Sequence, residues 1–184
     1  MNRETYLNKG VKALASLFQK QGYELPPVNV SCSWPGGGSA RTRIGECWAR
    51  SASKAGVNEI FISPTIDDPI KALDVLAHEL IHAIDDCQHG HRKEFTKIMR
   101  AIGLEGKPTA TVAGERLHGE LEKITAKLGD YPHQALNRPG PKQKSRQLKA
   151  VCSDCGAVWR MSNQWLQQVT ACPCCQSANV GFSG

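Results

Sequence analysis

Residues 78–95, HELIHAIDDCQHGHRKEF, hold four of the six histidines in a chain of 184. Ile70, Leu73, Ala77, Leu80, Ile81 and Ile84 recur with helical period around the first two of them. A helix there puts His78 and His82 on one face, roughly 6 Å apart at Cβ, where two imidazoles can grip one Zn²⁺. Glu79 falls about 100° around the axis. That angle keeps it off the shared face but within reach of a water beside the ion. His-Glu-x-x-His thus offers two ligands and a general base for hydrolysis. The bland alternative is a helix with two surface histidines, and the histidines just downstream weigh against it. No other feature constrains the fold as tightly, because the pair needs a second segment to bring in a third ligand.

The candidates for that ligand are His89, His91, His118 and His133. His118 falls within a later helix and reads as solvated, and His133 lies at the start of a Pro-rich stretch. His89 and His91 flank Gly90, where the chain can reverse sharply. His91 is the expected third ligand and His89 the alternative. Asp85 and Asp86 read as an exposed helix end, with a bond to a histidine N–H as the other option. Cys87 reads as a small packing residue, with zinc ligation as the alternative.

Around this motif the sequence predicts a helix over 3–21, from the stripe Leu7, Val11, Leu14 and Phe18. A short strand follows in PPVNVSCSW, and RIGECWAR and VNEIFIS read as a hairpin. Asp68 and Pro69 mark the start of the metal helix. A further helix opens near His91 and stops at Gly103, and another spans about 112–128. Residues 131–148 change character, with Pro and Gly beside Arg138, Lys142, Lys144 and Arg146 and no acid. They read as a basic linker between a first domain, 1–130, and a small module, 149–184.

The module has Cys152, Cys155, Cys172 and Cys175 in the order C-x2-C-x16-C-x2-C, a zinc-ribbon spacing. Four thiolates close a tetrahedron, so this second Zn²⁺ would be structural, and a module this small needs the metal to fold. Cys174 could exchange with Cys175. Cys32 and Cys47 read as core thiols.

HELIHA followed by GHRKEF resembles the SprT-like family of zinc metallopeptidases, which includes the Spartan protease. Gly90, His91 and Phe95 match that pattern, and Arg92 stands where a second glycine is common. The resemblance covers roughly 5–105, and many members also carry a C-terminal ribbon. It implies an α+β, zincin-like metallopeptidase domain with a small zinc ribbon. It also implies a catalytic Zn²⁺ on His78, His82 and His91, Glu79 as base, and substrates that are DNA-bound or DNA-crosslinked proteins.

Charge bears on partners. Residues 131–184 hold six Lys/Arg and one acid, Asp154, so they carry most of the net +6. Such asymmetry suits a polyanion. With Trp159, Trp165 and Arg160 it suggests single-stranded or distorted DNA. No apolar run is long enough for a membrane span and the N-terminus lacks an h-region. A cytoplasmic protein is expected, with association to the nucleoid as an option. The competing reading is a non-catalytic binder of nucleic acid or transcription machinery. The two readings differ at Glu79.

Overall fold

The computed structural model describes residues 1–36, 42–137 and 147–183, without the side chains of 182 and 183. The fold is mixed α+β, in two units, Met1–Arg138 and Pro139–Gly184.

The first unit is built on α2 (Pro69–Ile84). The Asp68 side chain accepts from the Lys71 N–H, and Pro69 fills a first-turn position that needs no donor. Ten of the sixteen residues are buried, including Asp74 and Glu79. Apolar contact all round makes α2 a central helix rather than a surface one. Against it pack α1 (Arg3–Lys20), which turns Tyr6, Leu7, Leu14 and Phe18 inward, and a three-stranded sheet. Each fully buried leucine or isoleucine here contributes roughly 1.5–3 kcal/mol.

The sheet order is β1 (Val28–Cys32), β3 (Asn58–Ile62), β2 (Gly45–Trp48). Strand β1 runs parallel to β3, while β2 is antiparallel to it, with Gly45 opposite Ile62 and Trp48 opposite Glu59. The expected hairpin is therefore present, and β2 is an edge strand.

After α2 the chain turns and enters α3 (Lys93–Ile102), whose buried stripe is Phe95, Ile98, Met99 and Ile102. The helix starts two residues after His91, because Arg92 is extended and serves as its N-cap. The next segment departs further from expectation. Strands β4 (Leu104–Lys107) and β5 (Ala110–Ala113) form a hairpin closed by Pro108 and Thr109. The following helix, α4 (Glu115–Leu128), thus begins three residues later than the periodicity predicts. Its Leu117 and Leu121 face the core.

The first unit also continues past residue 130. Tyr131 is buried against Tyr6, with ring centroids 5.1 Å apart. The Pro64 carbonyl accepts from His133 Nε2 at 2.9 Å and from the Leu136 N–H at 2.7 Å. Tyr131, His133 and Leu136, in the stretch expected to open the linker, are tied to the first unit instead. The linker cations Arg138, Lys142, Lys144 and Arg146 lie outside the described residues.

In the second unit β6 (Gln147–Cys152) lies between β7 (Val158–Ser162) and β8 (Val180–Ser183), antiparallel to both. A single helical turn, α5 (Asn163–Leu166), buries Leu166. Among the described residues no helix is long and apolar enough to cross a membrane.

Candidate metal centre and cleft

The turn after α2 decides which histidine joins the helical pair. Asp86 and Cys87 are both left-handed, with φ 54° and 62°, which is uncommon for residues other than glycine. The turn is held by side chains. Asp86 accepts from the Arg50 N–H at 2.7 Å and from Asn58 Nδ2 at 2.9 Å, and it pairs with the Arg50 guanidinium. Asn58 is fully buried and also donates to the Trp48 carbonyl. Asp85 accepts from His89 Nδ1 at 3.0 Å. The helix end is thus pinned, not frayed, and the Asp86 carboxylate is engaged with Arg50 and Asn58 rather than with a metal-helix histidine. His89 is drawn aside to Asp85. Gly90, at φ 53°, then swings His91 back over α2.

His91 Nε2 lies 3.2 Å from His78 Nε2 and 3.2 Å from His82 Nε2. A neutral imidazole carries one proton, so hydrogen bonds among the three rings leave lone pairs facing one another. A cation removes that conflict. Tetrahedral Zn²⁺ with Zn–N bonds near 2.0–2.1 Å sets its ligand nitrogens roughly 3.3 Å apart, which matches these spacings. Burial holds His78 down at about 3 and His82 at about 4, with the neighbouring rings adding to the effect. His91 is lowered by burial and by Arg43. All three rings are therefore neutral near pH 7, with lone pairs free to ligate. Phe95 packs against each of them, with centroids 4.6–4.9 Å away.

With Nε2 directed at the shared point, His78 keeps its proton on Nδ1 and donates to Thr111 Oγ1 at 2.8 Å. Such an acceptor fixes the tautomer and ring orientation of a ligating histidine. Thr111 belongs to the β4–β5 hairpin, which the sequence reading missed. The cue available was Lys-Pro-Thr between two short runs, a weak signal when Leu104 alone of the eight strand residues is buried. His118 is exposed beside Glu122, and His133 serves the Pro64 carbonyl, so neither joins the cluster.

Glu79 is 6% exposed and lies against β2. A Cβ at Gly45 would stand 2.4 Å from Glu79 Oε1, so the carboxylate occupies space that only glycine leaves. Burial first, then Cys87 and Glu46, push the Glu79 carboxyl up to about 8. A cation at the neighbouring imidazoles would draw that value down. Glu79 and the three histidines line one cavity of about 600 Å³, walled by residues of β2 on one side and by Thr111 and Val112 on the other.

The second unit brings together Cys152, Cys155, Cys172 and Cys175, with Sγ–Sγ distances of 3.5 Å for 152–175 and 3.6 Å for 155–172. Zn–S bonds near 2.3 Å imply roughly 3.8 Å, a close fit. Both CxxC turns have the same construction. Gly156 donates to the Cys152 carbonyl and Gln176 to that of Cys172, and both residues are left-handed. Cys152 donates to the Ala157 carbonyl and Cys172 to that of Ser177. This repeat makes Cys175 the counterpart of Cys155. Cys174 contributes its backbone N–H to Cys172 Sγ instead. Asp154 ties the two turns together, accepting from Ser177 Oγ and Asn179 Nδ2. The histidine and cysteine groups are each suited to a metal ion such as zinc.

No curated protein and no solved structure matches the chain. The family model described as the SprT-like family matches residues 11–114, a span that holds the sheet, α2, α3 and all three clustered histidines. That span is more than half of the sequence, and the chain belongs to the SprT-like family.

Proposed function

We propose that the first unit is a zinc-dependent peptidase whose substrates are proteins held on nucleic acid. The observation that carries this reading is a buried carboxylate, Glu79, sharing a cleft with three converging imidazole nitrogens. Zn²⁺ held by His78, His82 and His91 would supply Lewis-acid polarisation of the scissile carbonyl and lower the pKa of the attacking water. Glu79 takes the proton from that water and returns it to the leaving amine. Its burial suits both steps, since a carboxyl raised toward neutrality accepts and releases a proton at small cost. Among the described residues the edge strand β2 has a free side, along which an extended peptide can add by backbone hydrogen bonds.

In the second unit Cys152, Cys155, Cys172 and Cys175 would hold a structural Zn²⁺. Trp165 is 60% exposed, and Lys149 and Arg160 stand opposite each other on β6 and β7. An exposed indole and paired cations suit single-stranded or distorted DNA. Tethering there raises the local concentration of DNA-bound protein substrates.

The test is cleavage of a DNA-bound protein by the zinc-loaded chain, with and without single-stranded DNA, beside a Glu79→Gln variant. Cleavage by the wild type and none by a variant that keeps its zinc is the expected result. If the wild type cleaves nothing and the variant matches it in function, the peptidase reading fails. A non-catalytic binder of nucleic acid or transcription machinery is then left.

A further inference from the structure

Two cysteines outside both metal clusters face each other beside the cleft. Cys87 Sγ lies 3.5 Å from Cys47 Sγ and 3.5 Å from the Cys47 carbonyl oxygen. Cys47 sits on β2, the cleft's edge strand, and Cys87 in the turn that leads from α2 to His91. Both residues line the same cavity, so a small molecule that enters it comes up against the pair. We propose that Cys47 and Cys87 are a redox-modification site that closes to a reversible disulfide on contact with peroxide-class oxidants. The site does not depend on the peptidase reading.

The geometry favours closure within the chain over other fates of the thiols. A disulfide needs its sulfurs about 2.05 Å apart, so the pair must approach by about 1.5 Å. Cys87 lies beyond the regular helical ladder, in two successive left-handed residues, where small backbone adjustments cost little regular structure. The sulfur–sulfur contact with Cys47 lowers the Cys87 thiol although burial opposes it, while the same contact and burial raise Cys47. Cys87 is therefore the better nucleophile.

The chemistry is balanced by the oxidant. The Cys87 sulfur attacks one peroxide oxygen. An S–O bond forms, the O–O bond breaks, and hydrogen peroxide leaves its other oxygen as water. The Cys47 sulfur then displaces the sulfenic oxygen as a second water, forming S–S. The two thiols lose two electrons, and the peroxide gains them. The product ties the cleft's edge strand to the turn carrying His91 and closes a loop across 40 residues.

The test treats the full, zinc-loaded chain with a few equivalents of hydrogen peroxide. Free thiols are then alkylated and the protein is digested without reductant for mass spectrometry. The expected product is one linked pair of peptides containing residues 47 and 87, two hydrogens lighter than their reduced sum and separated by dithiothreitol. The oxidised chain should unfold roughly 5–10 °C higher. Cys47→Ser and Cys87→Ser should show neither effect. The proposal is overturned if both cysteines are recovered alkylated, if each is oxidised separately to sulfinic acid, or if the linked peptides join ribbon cysteines instead.

Discussion

At the scale of single residues, the cleft depends on a position with no side chain. Gly45 lets the Glu79 carboxylate lie against β2. In a Gly45→Ala variant the new Cβ meets Glu79 Oε1 at 2.4 Å and Val75 Cγ1 at 2.5 Å. Both contacts are too short for a Cβ and both side chains are buried, so the carboxylate must shift together with Val75. No histidine is among the three atoms nearest the new Cβ. On the peptidase reading, the variant should bind two zinc ions per chain as the wild type does, while kcat falls about a hundredfold, as expected for a misplacement of about 1 Å. Steady-state kinetics beside metal analysis checks this. A variant with full kcat would mean that Glu79 does not work from the position it holds here. Thr111 is the complementary case, since its oxygen fixes a ligand's ring rather than the base.

At the scale of elements, the turn after α2 is where charge and position combine. Asp86 is held ionised below the ordinary carboxylate range, first by the Arg50 backbone N–H and then, against burial, by Asn58 and the Arg50 side chain. A depressed folded pKa stabilises the protein above the unfolded value near 3.9, and the benefit is lost as pH falls through the lower folded value. An Asp86→Ala variant should therefore unfold at lower temperature than wild type at pH 7, with the gap narrowing below about pH 4. Thermal denaturation across that range measures it, and a gap independent of pH would remove the charge from the explanation. This turn also marks the limit of what the sequence revealed. The metal helix was legible because Asp68 and Pro69 mark its start and its apolar period is strong. The pairing of β2 with β3 was legible from two β-rich runs. Asp85 and Asp86 were not, since the partners of Asp86, Arg50 and Asn58, lie far away in sequence and meet it only through the fold. The β4–β5 hairpin escaped because its strands are four residues long and mostly solvated, leaving no period to read. Cys47 and Cys87 each looked like an isolated thiol because they too meet only through the fold.

At the scale of the whole molecule, the two units rely on different sources of stability. Among the described residues, the first has a hydrophobic core of twenty-five buried residues. In the second the buried apolar residues are Ala150, Leu166 and two of the clustered cysteines, Cys152 and Cys172, among the described residues. Chelation should thus abolish amide protection across 147–183 while β3 and α2 stay protected, a contrast that hydrogen exchange resolves. Equal loss in both units would mean that the histidine metal holds the first unit together. The second unit also presents Lys149 directly opposite Arg160 across β6 and β7. Like charges in that register disfavour the strand pair, so their cost to the sheet must be offset elsewhere, and a phosphate backbone would offset it. Replacing both with glutamine should relieve the repulsion and leave the fold and zinc content intact. On the proposed role in DNA binding, it should also weaken binding to single-stranded DNA in a way that salt reveals. Each phosphate that is no longer neutralised takes about 0.7 off the slope of log K against log salt, so the slope for the double variant should be shallower by about 1.4. An unchanged slope would place DNA binding on other residues, and the paired cations would then have no role in it.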